Sequence, residues 1–293
     1  MKKLTKLALI VLGTLALIPF TSCKKEENTV KKQISRVYYS EQSSDWSSPK
    51  TLVQQWNWDK DNLLKSIDNY GENGNTELII NFQYNDKKRI SRIDCYQYNI
   101  SLLYNYNEKD HLFDRLDLYY GNMILGTCAV TYKDKKIDML TATVYDDYFY
   151  KAAALLDPLS ALLPKELSEP FVAFEKQLAQ RNNDQSYVVN VQFTWQNDNV
   201  SQIIASGMGE MISITAQYDN KNCFLYGFLL GQPGGGGLFQ NNPTMVIVTE
   251  SGYSDSESMM ATYQYDSSNY PTMMTMYEPE SSYQFSLYFE YNQ

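Results

Sequence analysis

The chain has 293 residues, 34 Asp and Glu against 25 Lys and Arg, and a formal net charge of −9. That length allows one or two domains, and that charge argues against nucleic acid, whose phosphates require concentrated Lys and Arg. One histidine, and four cysteines without CxxC or Cys/His spacing, exclude a zinc motif and leave little for a Ser-His-Asp or Cys-His centre.

Residues 1–22 read as a secretory signal, because Lys2, Lys3 and Lys6 precede an apolar run from Leu7 to Phe20 that is too short to span a bilayer. The Thr21-Ser22-Cys23 ending resembles a bacterial lipoprotein signal, which implies lipidation of Cys23, although Phe20 stands where that signal usually has Leu. An ordinary signal peptide with a chance cysteine is the alternative. Residues 23–35 open with CKKEENTVKKQ, charged and without apolar period, and are expected to form a flexible tether. Lys24-Lys25-Glu26-Glu27 resembles the export signal of surface lipoproteins of the Bacteroidetes type, and reads equally as a plain charge run. Loss of residues 1–22 removes three lysines and no acid, which takes the net charge from −9 to −12. A body that acidic is not drawn to anionic lipid, so acyl chains on Cys23 are the expected membrane contact.

Residues 36–293 are organised by a repeat. An aromatic residue followed by a polar quartet recurs at Trp58, Tyr84, Tyr106, Tyr132, Trp195, Tyr218 and Tyr265, and Phe289-Glu290-Tyr291-Asn292 begins another. Neighbouring copies commonly stand about 22 to 26 residues apart, the length of a β-hairpin with its connections. Leu78, Ile80, Phe82 and Tyr84 alternate onto one face, as a half-buried strand requires. The Ile90/Ile93 spacing then breaks the alternation, and a bulge near the start of the second strand reconciles it. Four residues after each anchor stand Asn62, Lys88, Asp110, Lys136, Asn199, Asn222 and Asn269, mostly the types that tolerate a left-handed backbone.

Tyr218-Asp219 and Tyr265-Asp266, with Trp58-Asp59, Tyr84-Asn85 and Tyr106-Asn107, resemble YD (Rhs-like) repeats, and residues 261–272 are similar to repeats in uncharacterised Bacteroidetes lipoproteins. The family pattern continues with glycine, arginine and leucine; here Asn, Asp or Lys replaces the glycine and the arginine survives only at Arg89. The resemblance implies a long antiparallel meander and no reaction.

Two stretches break the repeat. Over 150–182, Lys151–Leu156 favours helix, Asp157-Pro158 and Ser168-Glu169-Pro170 are helix starts, and Phe171, Phe174 and Leu178 share one face. This predicts a small helical insertion that covers one face of the sheet, with a ligand-gating lid as the sharper reading. The second break is Gly234, Gly235, Gly236 and Gly237 followed by Leu238 and Phe239. No Lys-Ser or Lys-Thr follows the glycines, so this is no phosphate cradle but a surface loop and the candidate partner contact.

Catalytic and metal chemistry find little support. His111 falls in a repeat turn, and Asp59, Asp86, Asp134, Asp219 and Asp266 occupy hairpin turns where aspartate caps the local backbone. Asp59-Lys60-Asp61 lacks the glycine and distal glutamate of a calcium loop. No cofactor or metal is expected. For Cys95, Cys128 and Cys223 two readings stay open, one Cys95–Cys128 disulfide or three buried thiols. The 25 tyrosines suit cross-strand ladders, and rings on sugar or partner surfaces are the alternative.

The sequence therefore predicts a mainly β fold, a long antiparallel meander of repeated hairpins curled into an open sheet or a barrel, with a small helical insertion. The expected function is a lipid-anchored outer-membrane or cell-envelope protein, open to surface exposure, that binds a glycan or protein ligand without catalysis. A polysaccharide hydrolase using paired carboxylates, and a purely structural envelope component, are the alternatives.

Overall fold

The alternation read at Leu78–Tyr84 runs around the whole molecule. The computed structural model describes residues 32–71, 73–107, 112–145, 187–207, 210–223, 240–250, 256–279 and 281–292. These form sixteen strands: β1 (Gln33–Gln42), β2 (Thr51–Trp58), β3 (Leu64–Tyr70), β4 (Thr76–Tyr84), β5 (Ile90–Cys95), β6 (Ile100–Tyr106), β7 (Phe113–Tyr120) and β8 (Met123–Lys133) in the first half. The second half holds β9 (Lys136–Val144), β10 (Tyr187–Gln196), β11 (Asn199–Gly207), β12 (Glu210–Tyr218), β13 (Pro243–Glu250), β14 (Ser256–Tyr265), β15 (Pro271–Tyr277) and β16 (Gln284–Asn292). Each strand pairs antiparallel with the next, and β1 pairs with β16 from Gln33↔Asn292 to Gln42↔Gln284, so the sheet closes into a barrel. β1 opens at Gln33, so Gln33–Ser35 belong to the barrel wall.

Closure removes the free sheet edges that an open meander would expose. It also leaves the concave side as the place where a single sheet buries its apolar residues. In β10, Val189, Val191 and Phe193 are buried while Val188, Asn190, Gln192 and Thr194 are exposed. β16 buries Phe285, Leu287 and Phe289 in the same way. One cluster, from Ile34 through Leu64, Phe113 and Leu140 to Phe289, links all of these inward side chains but Phe285. Each fully buried Leu, Ile or Phe contributes about 1.5–3 kcal/mol.

The outward face is polar and tied together across strands. Asn57 Nδ2 donates to Ser66 Oγ at 3.0 Å and to Asp68 Oδ2 at 2.9 Å. Asp94, 1% exposed, accepts from Gln83 Nε2 (2.7 Å), Arg92 Nε (2.7 Å) and Ser101 Oγ (2.6 Å). Asn105 Nδ2 and Arg115 Nε make the corresponding bonds to Asp117 one hairpin further on.

The helical insertion expected at 150–182 lies outside the described residues. Among the described residues the one helical element is a 3₁₀ turn, Tyr96–Tyr98, closed by Asn99 in the left-handed region. Cys95 and Cys223 are buried and Cys128 is half-buried, all as free thiols, so the Cys95–Cys128 disulfide is not formed. Burial pushes the Cys128 thiol up to about 12.

A candidate functional site at the far end of the barrel

The antiparallel order gives the barrel two unlike ends. The tight turns after β2, β4, β8, β10 and β14 lie at one, together with the start of β1, the end of β16 and both feet of the 219–242 connection. This is the turn end. The connections after the odd-numbered strands, including 145–186 between β9 and β10, leave from the far end.

Every motif residue of the repeat sits at the turn end, and its work there is structural. In each post-turn strand a bulge follows the residue paired with the anchor aromatic, as in Tyr84↔Ile90 followed by Gln83↔Arg92, which is the break the Ile90/Ile93 spacing predicted. The anchor aromatic of each hairpin then donates its polar tip to that residue's counterpart one hairpin back. Tyr84 Oη reaches the Leu64 carbonyl, Tyr106 the Ile90 carbonyl and Tyr132 the Phe113 carbonyl, each at 2.7 Å. Trp195 Nε1 donates to Ile137 (2.7 Å), Tyr218 to Val200 (2.6 Å) and Tyr291 to Pro271 (2.7 Å). Within the β1–β2 hairpin Trp58 Nε1 donates to the Ile34 carbonyl at 2.7 Å, so the series of tips includes the first hairpin. Burial pushes the Tyr106 hydroxyl up to about 12, with the Arg89 guanidinium pulling partly the other way. That guanidinium lies 4.3 Å from the Tyr106 ring centroid.

β14 departs from the pattern. Tyr263, two residues before the expected anchor, donates to the Pro243 carbonyl at 2.8 Å, and Tyr265 donates instead to Asp219 Oδ2. Asp219 Oδ1 also receives the Lys221 and Asn242 amides, and the fully buried Asn242 donates to the Asn222 carbonyl at 2.9 Å. These bonds fasten both feet of the connection that carries Gly234 to Phe239, residues that themselves lie outside the described set, as do Cys23 and His111.

Asp59, Asp219 and Asp266 act as local caps, and in the β4–β5 turn Asn85 does so rather than Asp86. Asp59 Oδ1 accepts the Asp61 and Leu63 amides, Asn85 Oδ1 those of Lys87 and Arg89, and Asp266 Oδ1 those of Ser268 and Tyr270. Burial alone would raise the Asp266 carboxyl, but the Lys32 ammonium at 2.6 Å and these amides outweigh it and hold it below its usual value. Left-handed backbone occurs where expected at Asn62, Lys88 and Asn269. Elsewhere the expected position is corrected: the β8–β9 hairpin is a two-residue loop with Asp134 and Lys135 both at positive φ, so Lys136 is already strand. After β10 it is Asn197 that turns, with Asn199 in β11, and Asn222 stays outside the left-handed region because its turn is replaced by the long connection. Asp110 lies outside the described residues.

A shallow groove of about 450 Å³ crosses the closure seam near the turn end, lined by Ser35, Arg36, Gln55, Trp56, Asn57, Trp58 and Asn292. It carries one charge and no carboxylate. Among the described residues no group of three or more His, Cys, Asp or Glu is arranged to hold a metal ion.

The far end is built differently. There β1, β2 and β3 turn polar groups inward: Trp56 Nε1 donates to Gln54 Oε1 (3.2 Å), Gln54 Nε2 donates to Asn69 Oδ1 (3.0 Å), and Tyr39 Oη donates to Glu41 Oε1 (2.6 Å). Asn69 is 6% exposed, and its Nδ2 has no hydrogen-bond partner. On the rim outside, Trp46, Tyr96, Tyr98, Ile124, Tyr145, Val188 and Met211 are the strongly exposed large apolar residues of the described set, with Tyr96 at 66%. All seven flank far-end connections. Among the described residues nothing of this kind occurs at the turn end.

No family model matches the chain, and no curated protein matches it. Among solved structures, a porin-like protein from Bacteroides uniformis ATCC 8492 superposes with a TM-score of 0.50 at 10% identity, over 88% of this chain and 98% of that one. The likeness is one of fold. A porin-like protein from Bacteroides vulgatus ATCC 8482 gives 0.49 at 10% identity over the same shares. A chain of the TcdB2-TccC3-Cdc42 structure gives 0.30 at 9% identity, covering 87% of this chain but 14% of its own. The last two fall below the level at which shape carries an inference.

Sequence reasoning placed its candidate contact in the glycine loop and passed over the far rim. Tyr96 and Tyr98 sit on a 3₁₀ turn that lifts them out of the wall. The signal for it was Asn99, the left-handed residue that stops β5 from running on into β6.

Proposed function

We propose that this protein is an extracytoplasmic binding barrel, held at the cell envelope by lipid on Cys23 and working without catalysis. The observation that carries this reading is the polarity of the wall. A barrel that spans lipid needs an apolar outer band about 25 Å tall, with polar residues alternating inward. Here the alternation is reversed, with Val189, Val191 and Phe193 inside and Asn190, Gln192 and Thr194 outside. The porin-like neighbour supports the architecture, while the outward face favours a barrel standing in water beside a membrane.

The repeat supports membership among YD-like hairpin proteins, since the Tyr or Trp closes the ladder and the Asp or Asn caps the turn. Neither role involves a ligand, which leaves recognition to the regions that depart from the repeat. A glycan or protein ligand at the envelope fits the exposed rings.

Palmitate labelling and fractionation test the anchor. Wild type is expected to incorporate label and to pellet with membranes, and Cys23→Ala to lose both while the barrel still folds. Planar-bilayer recordings test the wall: the detergent-free body is expected to give no conductance, and channel formation would sink the reading.

A further inference from the structure

We infer that the far rim of the barrel is a docking surface for a protein partner that presents lysine or arginine beside apolar side chains. The inference rests on the binding-barrel reading above and adds to it the surface and the chemistry of the partner.

Two independent distributions coincide at this rim. The first is apolar: the exposed rings of Trp46, Tyr96, Tyr98 and Tyr145 stand there, with Ile124 between them. Tyr96, Tyr98, Ile124 and Tyr145 form one arc, because the Gly121 amide donates to the Asn99 carbonyl and the Tyr145 amide to the Leu125 carbonyl, joining the β5–β6, β7–β8 and β9 ends, while Trp46 stands apart on the β1–β2 connection of the same rim. Exposed apolar groups gathered at one place on a soluble wall mark an interaction surface.

The second distribution is charge. Among the described residues every lysine except Lys50 lies in the half of the wall nearer the turn end. Lys50 itself is engaged, its Nζ 4.3 Å from the Tyr38 ring centroid and 4.6 Å from that of Tyr288. Lys32–Asp266, Arg36–Glu290, Lys88–Asp61 and Lys136–Asp198 lie in the turn-end half, whereas Arg92–Asp94 and Arg115–Asp117 reach past mid-strand along β5 and β7. At the far end Asp45, Glu77 and Glu278 are exposed, with no lysine or arginine bonded to them among the described residues. The rim therefore combines aromatic faces, which attract cations, with carboxylates that await counter-charge. An anionic partner is repelled there, and a neutral one leaves the carboxylates unused.

Binding is measured on the mature full chain by isothermal titration, with a synthetic amphipathic Lys/Leu peptide as probe and a Glu/Leu peptide and a neutral β-glucan as comparisons. The Lys/Leu peptide is expected to bind, with affinity falling at least ten-fold in Tyr96→Ala/Tyr98→Ala and in Asp45→Lys/Glu77→Lys. Asp86→Lys/Asp114→Lys, which changes charge equally at the turn end, is expected to leave affinity within about two-fold. Equal loss in both charge pairs would reduce the effect to net charge and overturn the site. Binding of the glucan alone would overturn the partner class. Hydroxyl-radical footprinting of the free chain supplies the check on occupancy: strong labelling of Trp46 and Tyr96 supports the inference. Protection in the monomer would mean that the chain covers its own rim, and protection that disappears on dilution would mean a second copy does. Failure here leaves Cys23 labelling untouched, so the two readings fail separately.

Discussion

The two ends of this barrel are made from the same strands and obey different rules. At the turn end the hairpins repeat one solution: an aromatic tip donated to a carbonyl exposed by a bulge, an Asx cap, and lysines paired with acids across neighbouring turns. At the far end the connections differ from one another, polar side chains turn inward at β1–β3, and large apolar side chains stand in water. A run of similar contacts stabilises the described hairpins of the turn end, whereas the irregular end bears the costs of exposure.

That division is open to test, and the largest effect concerns the tyrosine ring. Burial raises the ladder hydroxyls, Tyr106 to about 12 and Tyr218, Tyr263 and Tyr291 also well above their usual 10. Folded values above unfolded ones favour the neutral form, so this stabilisation is fully present below pH 10 and is lost as the pH rises through the folded values. Ladder ionisation, followed by absorbance at 295 nm, is expected to coincide with loss of β signal in circular dichroism. Ionisation well before unfolding would place these hydroxyls in water.

Next in size is Phe113→Ala. Phe113 is fully buried and meets Tyr104, Tyr106 and Tyr132 edge-on, so urea denaturation is expected to show a loss of about 3–5 kcal/mol. Tyr84→Phe keeps the ring and removes a single bond to the Leu64 carbonyl, with an expected cost of about 0.5–1.5 kcal/mol. The smallest effect belongs to the far end, where Trp46→Ala or Tyr96→Ala is expected to change stability by no more than about 0.5 kcal/mol. A cost at Tyr96 comparable to that at Phe113 would erase the contrast between the ends.

How much of this could be read from the sequence follows the same line. The hairpins, the strand phase at Leu78–Tyr84, the bulge after Ile90 and the turns at Asn62, Lys88 and Asn269 were legible, because each is decided within a few residues. Closure was not. It depends on β1 meeting β16, a contact between segments some 250 residues apart that leaves no local mark. Tyr263 displaced Tyr265 for a similar reason: the Tyr-Asp motif selects Tyr265, but the half-buried acceptor that captures it is Asp219, which belongs to another hairpin. Exposure at the far rim was equally out of reach, since Tyr96 and Tyr104 are the same residue type until the 3₁₀ turn lifts one out of the wall and the inner face encloses the other.

Pairing of β1 with β16 also sets an order of events. During synthesis or passage through a translocation channel, β1 has β2 on one side and an unsatisfied edge on the other, and that edge stays open until Gln284–Asn292 has emerged. Each newly made hairpin adds a strand to an open sheet whose two edges are the first strand and the newest. The chain therefore crosses its longest aggregation-prone interval just before completion, when nearly all the wall exists and none of it is sealed. For such a barrel, the time of greatest need for a holding chaperone is the end of chain emergence rather than its beginning.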